Sequence, residues 1–135
     1  MGNMNVKPAD GKLGVLCVGL GAVTSTFMTG VLMARKGLAK PVGSMTQYDK
    51  MRVGRGENKK YLHYGEIVPL ADLKDIVFGA WDVYPANAYE SAINAEVLKE
   101  RDINPVKDEL EKIVPMKAAF DKKFASRLEG DNVKQ

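Results

Sequence analysis

A short glycine turn is the part of this 135-residue chain whose residue types and spacing point most directly to chemistry. Gly19-Leu20-Gly21 directly follows an aliphatic run, and hydroxyl residues occupy positions 24–26. In a dinucleotide site the first glycine makes a tight turn. The second lets a pyrophosphate approach the backbone, and the amides that open the next helix bind it. Thr24 replaces the usual third glycine, so the turn predicts either a phosphate site with added hydroxyl donors or a glycine connection that serves geometry alone.

An aspartate is the second candidate for a ligand contact. A dinucleotide site usually carries an acidic residue about 20 positions after its glycines, and Asp49 falls too late for that role. Asp82 follows a later predicted strand and would face the same crevice, because ligands bind outside the carboxyl ends of parallel strands. The alternative is a surface aspartate that begins a turn.

Few other residues suggest a reactive centre. Cys17 is the only cysteine, which excludes an intrachain disulfide, and its apolar surroundings favour a small buried hydrophobe. His63 is the only histidine and has no evident zinc or triad partners, so a structural or surface role is expected. We therefore predict no metal site and identify no catalytic residue. The net charge of +3 is too small to favour a nucleic-acid partner.

The elements that position the glycine turn are predicted from its flanks. Leu13 to Val18 is a continuous apolar run, which is typical of a strand buried on both faces. A helix is predicted from Thr24 to Arg35, and Gly37 is suited to end it. Its expected apolar stripe comprises Phe27, Val31 and Ala34, with Met28 and Leu32 beside it.

The uncharged stretch that contains the turn admits another interpretation. It covers Leu13 to Met33, which is long enough to span a bilayer. Glycines and hydroxyl residues interrupt it where a strand would end and a helix would begin. A small membrane protein is thus the weaker alternative, and no membrane partner is expected.

The middle of the chain is predicted to hold two further strands around a polar segment. The strands are Val42 to Thr46 and Ile76 to Trp81, the latter preceded by a short turn or helix over Asp72 to Asp75. Between them, Tyr48 to Tyr64 is basic and reads as a long loop with a short hairpin. It is either a solvated loop or one that folds over a phosphate group.

Helices are predicted in the last third. Asn87 and Glu90 form a capping box for a helix to about Glu100, which would bury Ala88, Ala92, Ala95 and Leu98. Asn104-Pro105 predicts the start of a helix through Ile113, and a final short helix is expected near Asp121–Leu128.

This order of elements predicts an α/β fold, a partial Rossmann-type doubly wound parallel sheet of about three strands with flanking helices. Residues 1–11 are expected to be a loose N-terminus, residues 12–130 the Rossmann-type portion and residues 131–135 a polar tail. A sheet with so few strands leaves exposed edges that invite association. The isolated chain is therefore expected to be unstable or held in an oligomer.

Several blocks of the chain together resemble a known family, the bacterial myo-inositol-phosphate synthases. The resemblance covers about Lys12 to Lys134, and Ala80 stands where the family's Gly-Gly-Trp-Asp signature has its second glycine. The blocks are Val18-Gly-Leu-Gly-Ala-Val23, Gly37-Leu-Ala-Lys-Pro41, Gly43-Ser-Met-Thr-Gln47, Val68-Pro-Leu-Ala-Asp-Leu73, Val77-Phe-Gly-Ala-Trp-Asp82 and Asn87-Ala-Tyr-Glu90.

The resemblance implies an NAD-dependent isomerase that converts glucose 6-phosphate to myo-inositol phosphate by internal oxidation, aldol cyclisation and reduction. It also implies a cytoplasmic homo-oligomer, a tetramer in the family. By position, Asp82 would contact the nucleoside end of NAD. The pyrophosphate would be held by Gly19, Leu20, Gly21, Ala22, Val23 and Thr24.

Two departures accompany the resemblance. Family members are considerably longer, and their sugar-phosphate ligands come from later in the chain, so the catalytic portion is expected to lie outside this sequence. The segment Tyr48-Asp-Lys50 also differs from the small residues expected after Thr46-Gln47. The alternative function is a non-catalytic nucleotide-binding or oligomer-assembly module.

Overall fold

The computed structural model describes residues 7, 8 and 10–118. Helices and short 3-10 turns connect the strands of a small parallel sheet and of a separate hairpin. In chain order the elements are β1 (Leu13–Val18), α1 (Ala22–Arg35), α2 (Met45–Tyr48), β2 (Lys50–Val53), β3 (Lys60–His63), α3 (Tyr64–Ile67), β4 (Ile76–Asp82), α4 (Ala88–Ala95), α5 (Glu100–Ile103), α6 (Lys107–Glu111) and β5 (Met116–Lys117).

The main sheet has the order β1-β4-β5, and both pairings are parallel. The register of β1 and β4 runs from Leu13 opposite Ile76 to Val18 opposite Trp81. Their carboxyl ends therefore lie side by side at one edge. The predicted α/β class, with a three-stranded parallel sheet and flanking helices, is confirmed.

One of the three predicted strands is wrong. Residues 42–46 form no strand, because the Ser44 amide donates to the Pro41 carbonyl at 2.9 Å in a tight turn and Ser44 then precedes α2. The third strand of the sheet is instead Met116–Lys117, which the sequence analysis did not predict. Two residues are too few to show the period-2 pattern that identifies a strand.

Helix α1 begins at Ala22, two residues before the predicted start. Met28 and Leu32 are buried as expected, whereas Phe27 of the expected stripe is 45% exposed and Val31 and Ala34 are half-buried. The buried residues of the helix are Ser25, Met28, Thr29 and Leu32. The two hydroxyl residues can be buried because each donates to a backbone carbonyl of the helix, Thr29 Oγ1 to Ser25 O at 2.7 Å, for example. Their small size also allows close packing against α4.

Strand β1 is not buried on both faces as predicted. Leu16 is 61% exposed and Val18 91% exposed, whereas Cys17 packs against the core on the opposite face. The connections from β1 to β4 and from β4 to β5 advance in the same direction across the sheet. Right-handed crossovers then place the helices of both connections on one face, so the other face is bare among the described residues.

The capping box of α4 is confirmed, since the Glu90 amide donates to Asn87 Oδ1 and the Asn87 amide to Glu90 Oε2, both at 2.9 Å. The helix ends at Ala95 rather than near Glu100, because Glu96 adopts the left-handed conformation with φ of 52°. Ala88 and Ala92 are buried as predicted, whereas Ala95 and Leu98 are half-buried.

The helical region after α4 starts earlier than predicted. It opens at Glu100, and Asn104 has helical dihedrals inside it instead of capping it. The region continues through a 3-10 turn into α6. Ile103, Val106 and Leu110 are its fully buried residues and complete the core against α1 and α4.

The predicted hairpin is confirmed, with β2 and β3 paired antiparallel from Lys50 opposite His63 to Val53 opposite Lys60. The short turn before β4 is also confirmed, since Asp72 caps a 3-10 turn over Leu73–Asp75. The helix expected near 121–128, the domain boundary at 130 and the tail at 131–135 lie outside the described residues. No helix of the described part is long and apolar enough to cross a membrane.

Candidate cofactor-binding site

The glycine turn (residues 19–21) connects β1 to α1 at the carboxyl edge of the sheet. Gly19 has φ of +96°, a region that other residues adopt only with strain, and its amide donates to the Trp81 carbonyl at 2.7 Å. Gly21 is the N-cap of α1 and is exposed. A Cβ added at Gly21 would meet no atom within 4 Å, so the backbone there is open to a ligand.

The first turn of α1 presents its amides to this open space. Ser25 makes the first bond inside the helix, from its amide to Gly21 O at 3.0 Å. The amides of Ala22, Val23 and Thr24 have no acceptor among the described residues, and the first turn contains no acidic side chain. The positive end of the helix dipole and three donors therefore point out of the structure together, an arrangement that suits an anion.

Asp82 ends strand β4 beside the glycine turn. Its Oδ2 accepts from the Leu20 amide at 2.6 Å and its Oδ1 from the Tyr84 amide at 2.9 Å. The sequence predicts that Asp82 faces the same crevice as the turn, and the structure brings the two together. The contact that joins them, between carboxylate and backbone, was not predicted.

An open cleft of about 250 Å³ lies between the turn and α4. It is smaller than the roughly 300 to 1,000 Å³ typical of closed ligand sites, so it would enclose only part of a dinucleotide. Its far wall contributes two polar side chains, Ser91 and Asn94, that the sequence analysis missed. Both follow the capping box that begins α4, the one sequence signal that placed a helix next to Asp82. The lining residues are Leu20, Gly21, Ala22, Asp82, Tyr84, Ala86, Ser91, Asn94 and Ala95.

The hydroxyl residues expected to supplement the turn do not all face the cleft. Ser25 is fully buried, and its Oγ donates to Ala22 O at 3.3 Å, so it is not positioned to bind a ligand phosphate. Thr24 is half-buried on the first turn of α1. Asp49 caps α2 at the hairpin and does not join the site.

A larger cavity, about 520 Å³, lies at the opposite end of α1, between Arg35 and the exposed His63. The Arg35 guanidinium there is bound to the backbone and not directed at a ligand: its Nε donates to Leu73 O at 2.6 Å and its Nη2 to Ile76 O. The hairpin borders this cavity and not the glycine turn, so in this structure the basic segment does not fold over the predicted phosphate site. No cluster of metal-ligating residues occurs in the part of the chain that the structure describes.

An NAD-binding family model, described as myo-inositol-1-phosphate synthase, matches residues 13–135. The chain belongs to this family. The resemblance drawn from the sequence blocks is thereby confirmed, and the predicted cofactor, NAD, is the one that the matched domain binds.

Curated relatives agree with the family assignment. Over 131 residues the chain is 57% identical to inositol-3-phosphate synthase 1 of Bacteroides thetaiotaomicron, covering 96% of this chain and 30% of that protein. It is 31% identical to inositol-3-phosphate synthase isozyme 1 of Arabidopsis thaliana, covering 88% of this chain and 26% of that one. The chain thus spans less than one third of the length of the curated synthases that it matches.

A solved structure shares the fold. The crystal structure of inositol-3-phosphate synthase from Caenorhabditis elegans superposes with a TM-score of 0.71 at 26% identity, covering 87% of this chain and 25% of that one. The sheet and glycine turn described above therefore belong to the NAD-binding portion of a synthase fold.

Proposed function

We propose that this chain forms the NAD-binding part of an inositol-3-phosphate synthase, an NAD-dependent isomerase that acts on glucose 6-phosphate. The observation that carries the proposal is the open first turn of α1, where the amides of Ala22, Val23 and Thr24 face outward. Beside them the backbone of Gly21 is unobstructed, since a Cβ added there would meet no atom within 4 Å. An unsatisfied helix N-terminus next to an exposed glycine suits a pyrophosphate.

Each residue of the proposed site has a distinct task. Gly19 makes the turn that only a residue tolerant of positive φ adopts without strain. Gly21 leaves room for the pyrophosphate, and the amides of Ala22 to Thr24 donate to its oxygens. Leu20 anchors the turn, since its side chain is only 3% exposed. Asp82 borders the same cleft, and by the resemblance it would contact the nucleoside end of the cofactor.

Bound NAD would supply the oxidation and reduction that the isomerisation needs, without net redox change. The chain's own residues would hold and orient the cofactor. We assign no catalytic residue, because the relatives extend well beyond the third of their length that this chain matches.

The first test is thermal unfolding of the chain with and without millimolar NAD. A ligand that binds only the folded state raises the melting temperature by mass action, so NAD is expected to raise it. Gly21→Val is the matched variant: an added Cβ meets no protein atom within 4 Å and φ is −89°, so the fold should tolerate it. Its branched side chain would fill the space reserved for the pyrophosphate.

We expect the melting temperature of the variant to lie within a few degrees of the wild type, which corresponds to a loss of about 1 kcal/mol or less in the free energy of unfolding. NAD should no longer raise the melting temperature of the variant. An equal response to NAD in both proteins would show that the cofactor does not bind at the turn. No response in either would contradict NAD binding by this chain.

The isomerase activity needs its own test. Joining the chain to the remaining length of the Bacteroides synthase, which is 57% identical over the shared region, gives a chimera whose N-terminal, cofactor-binding part comes from this sequence. We expect the chimera to form inositol phosphate from glucose 6-phosphate and the chain alone to form none. An inactive but folded chimera with bound NAD would favour the non-catalytic nucleotide-binding module.

A cytoplasmic homo-oligomer completes the proposal. The oligomer is supported by the bare sheet face, where Leu16, Val18 and Val77 are 61%, 91% and 47% exposed, because contiguous apolar surface of this kind marks interfaces. The compartment is supported by the single cysteine, Cys17, which fits a reducing environment. Light scattering on the purified protein tests the oligomer, and a stable monomer would contradict it. Cell fractionation tests the compartment.

A further inference from the structure

Both oxygens of the Asp82 carboxylate are engaged by backbone amides of the chain itself. The Oδ1 bond to the Tyr84 amide, 2.9 Å, closes a local turn two residues long. The Oδ2 bond to the Leu20 amide, 2.6 Å, is different in kind, because it joins residues 62 positions apart and is partly buried. Hydrogen bonds from an amide to a carboxylate are among the stronger ones in proteins.

The same strand end holds the neighbouring residue of the turn. Gly19 donates to the Trp81 carbonyl at 2.7 Å, so two successive amides of the turn are bound by two successive residues of β4. The Leu20 side chain is buried in the core on the other side. Residues 19 and 20 are thus fixed by their amides and a side chain, and the next amides, those of the open first turn of α1, take their direction from them.

Asp82 has a counterpart that shows what the long-range bond adds. Asp72 also accepts the amide of the residue two positions on, Lys74, through Oδ1 at 3.1 Å. It makes no contact with the glycine turn. The two aspartates share the local turn, but the second oxygen of Asp82 accepts from the Leu20 amide, whereas that of Asp72 pairs with the exposed Lys74 Nζ at 3.3 Å.

We propose that Asp82 is a positioning residue: its carboxylate holds the glycine turn in the shape that presents the amides of α1 to a phosphate, instead of serving mainly as a contact to the nucleoside. This rests on the proposed NAD site and assigns Asp82 a different role within it. The carboxylate acts through Leu20, and its effect should therefore extend to every ligand that uses the turn, including one without a nucleoside.

Asp82→Asn is the first variant, with Asp72→Asn as the matched control. An asparagine keeps one acceptor oxygen but turns the other into a donor, which cannot accept an amide. We expect hydrogen exchange of the Leu20 amide to accelerate about tenfold or more in Asp82→Asn and to stay unchanged in Asp72→Asn. NAD and inorganic pyrophosphate, titrated against the amides of residues 22–24, should both bind more weakly by a similar factor, about three to ten.

The wild-type chain provides a measurement that needs no variant and that tests whether the carboxylate stays on the turn when NAD binds. A through-bond coupling between the Leu20 amide nitrogen and the Asp82 carboxyl carbon should be present without ligand and should persist at saturating NAD. Its loss on NAD binding would mean that the carboxylate leaves the turn for the cofactor, which overturns the proposal.

Two other outcomes would also overturn it. Weaker NAD binding with unchanged pyrophosphate binding would assign Asp82 to the nucleoside. Tighter pyrophosphate binding in Asp82→Asn would mean that the carboxylate mainly repels the phosphate. If the wild type binds neither ligand, the proposed function fails, and the exchange rate and coupling of Leu20 alone decide whether Asp82 holds the turn.

Discussion

Helix α1 is completed differently at its two ends. At the carboxyl end the chain satisfies its own backbone: Gly37, at φ of +68°, donates to Ala34 O, and Leu38 donates to Met33 O, both at 3.0 Å. These two bonds are those of a Schellman motif. At the amino end Gly21 offers no side-chain cap, and the first amides have no acceptor among the described residues.

The side chains beside the two ends follow the same division. Arg35 extends from the carboxyl end to donate to two backbone carbonyls, those of Leu73 and Ile76, and its guanidinium lies 5.5 Å from the centre of the Phe78 ring. Asp82 fixes the turn at the amino end but leaves the amides of α1 open. The carboxyl end of α1 is closed by the chain itself and contributes stability. The amino end is open, and its free amides give up some stability but are available to bind an anion.

Replacing Arg35 should destabilise the carboxyl end of α1. In Arg35→Met two partly buried carbonyls lose their donors, so we expect the free energy of unfolding to fall by about 2 to 4 kcal/mol in denaturant titration. The NAD-induced rise in melting temperature should remain. Lys36→Met, which alters an exposed neighbour, is the control and should cost less. A loss of NAD response in Arg35→Met would mean that the two ends are not independent.

Gly19→Ala should affect the open end in two ways at once. An alanine at φ of +96° is strained, which we expect to lower stability by about 1 to 2 kcal/mol and to abolish the NAD response through a displaced turn. Gly30→Ala is the control, because Gly30 lies in the middle of α1 with open space around it and should stabilise the helix by about 0.5 to 1 kcal/mol. If Gly19→Ala loses stability but keeps the NAD response of the wild type, as Gly30→Ala should, the role of Gly19 in cofactor binding is contradicted.

A surface ion pair near the closed end should give a smaller, pH-dependent effect. The hydrogen bond that Lys36 Nζ donates to Glu109 Oε2, at 3.0 Å, lowers the pKa of Glu109 below its ordinary value of 4.5. A lowered pKa in the folded state means that the pair stabilises fully above that value and that this contribution disappears as the pH falls below it. Exposure limits its size to under about 1 kcal/mol.

The measurement for this pair compares the wild type with Glu109→Gln by denaturant unfolding at about pH 7 and about pH 3. The wild type should be the more stable protein at neutral pH, and the difference should vanish in acid. A difference that is equal at both pH values would show that the carboxylate charge is not involved.

The basic hairpin (residues 50–63) should give the smallest effect. It carries five basic residues and one acidic residue, whereas the net charge of the whole chain is +3, and no ion pair involves these basic residues among the described ones. Lys59→Gln with Lys60→Gln should leave the free energy of unfolding within about 0.5 kcal/mol and the NAD response unchanged. A weakened NAD response would restore the alternative that this segment reaches the phosphate site.

Local sequence signals predicted the parts of the fold that local chemistry determines. The strand–turn–helix around Gly19, the Asn87 capping box and the hairpin each depend on residues within a few positions of one another. Strand β5 could not be predicted in this way. Its two residues are extended because β4 offers them partners, and that requires the folded sheet.

The candidate site divides along the same line. The glycines signalled a turn, and the end of a parallel strand placed Asp82 at the same edge of the sheet. The bond from the Leu20 amide to Asp82 spans 62 positions and leaves no trace in the residues around either one. Burial of the α1 face was missed for a related reason: Ser25 and Thr29 are polar by type, and only their bonds to backbone carbonyls make them suitable for the core.

The pairing of β1 with β4 also has a consequence during synthesis. Leu13 lies opposite Ile76, so the aliphatic strand β1 is made long before its partner exists. At about 5 to 20 residues per second, the interval is roughly 3 to 13 seconds. Throughout it the apolar residues of β1 have no sheet to join on a ribosome-bound chain, and neighbouring chains on the same messenger carry the same open strand. The topology therefore leaves β1 without its partner until β4 has been synthesised, and the cofactor site cannot form before then.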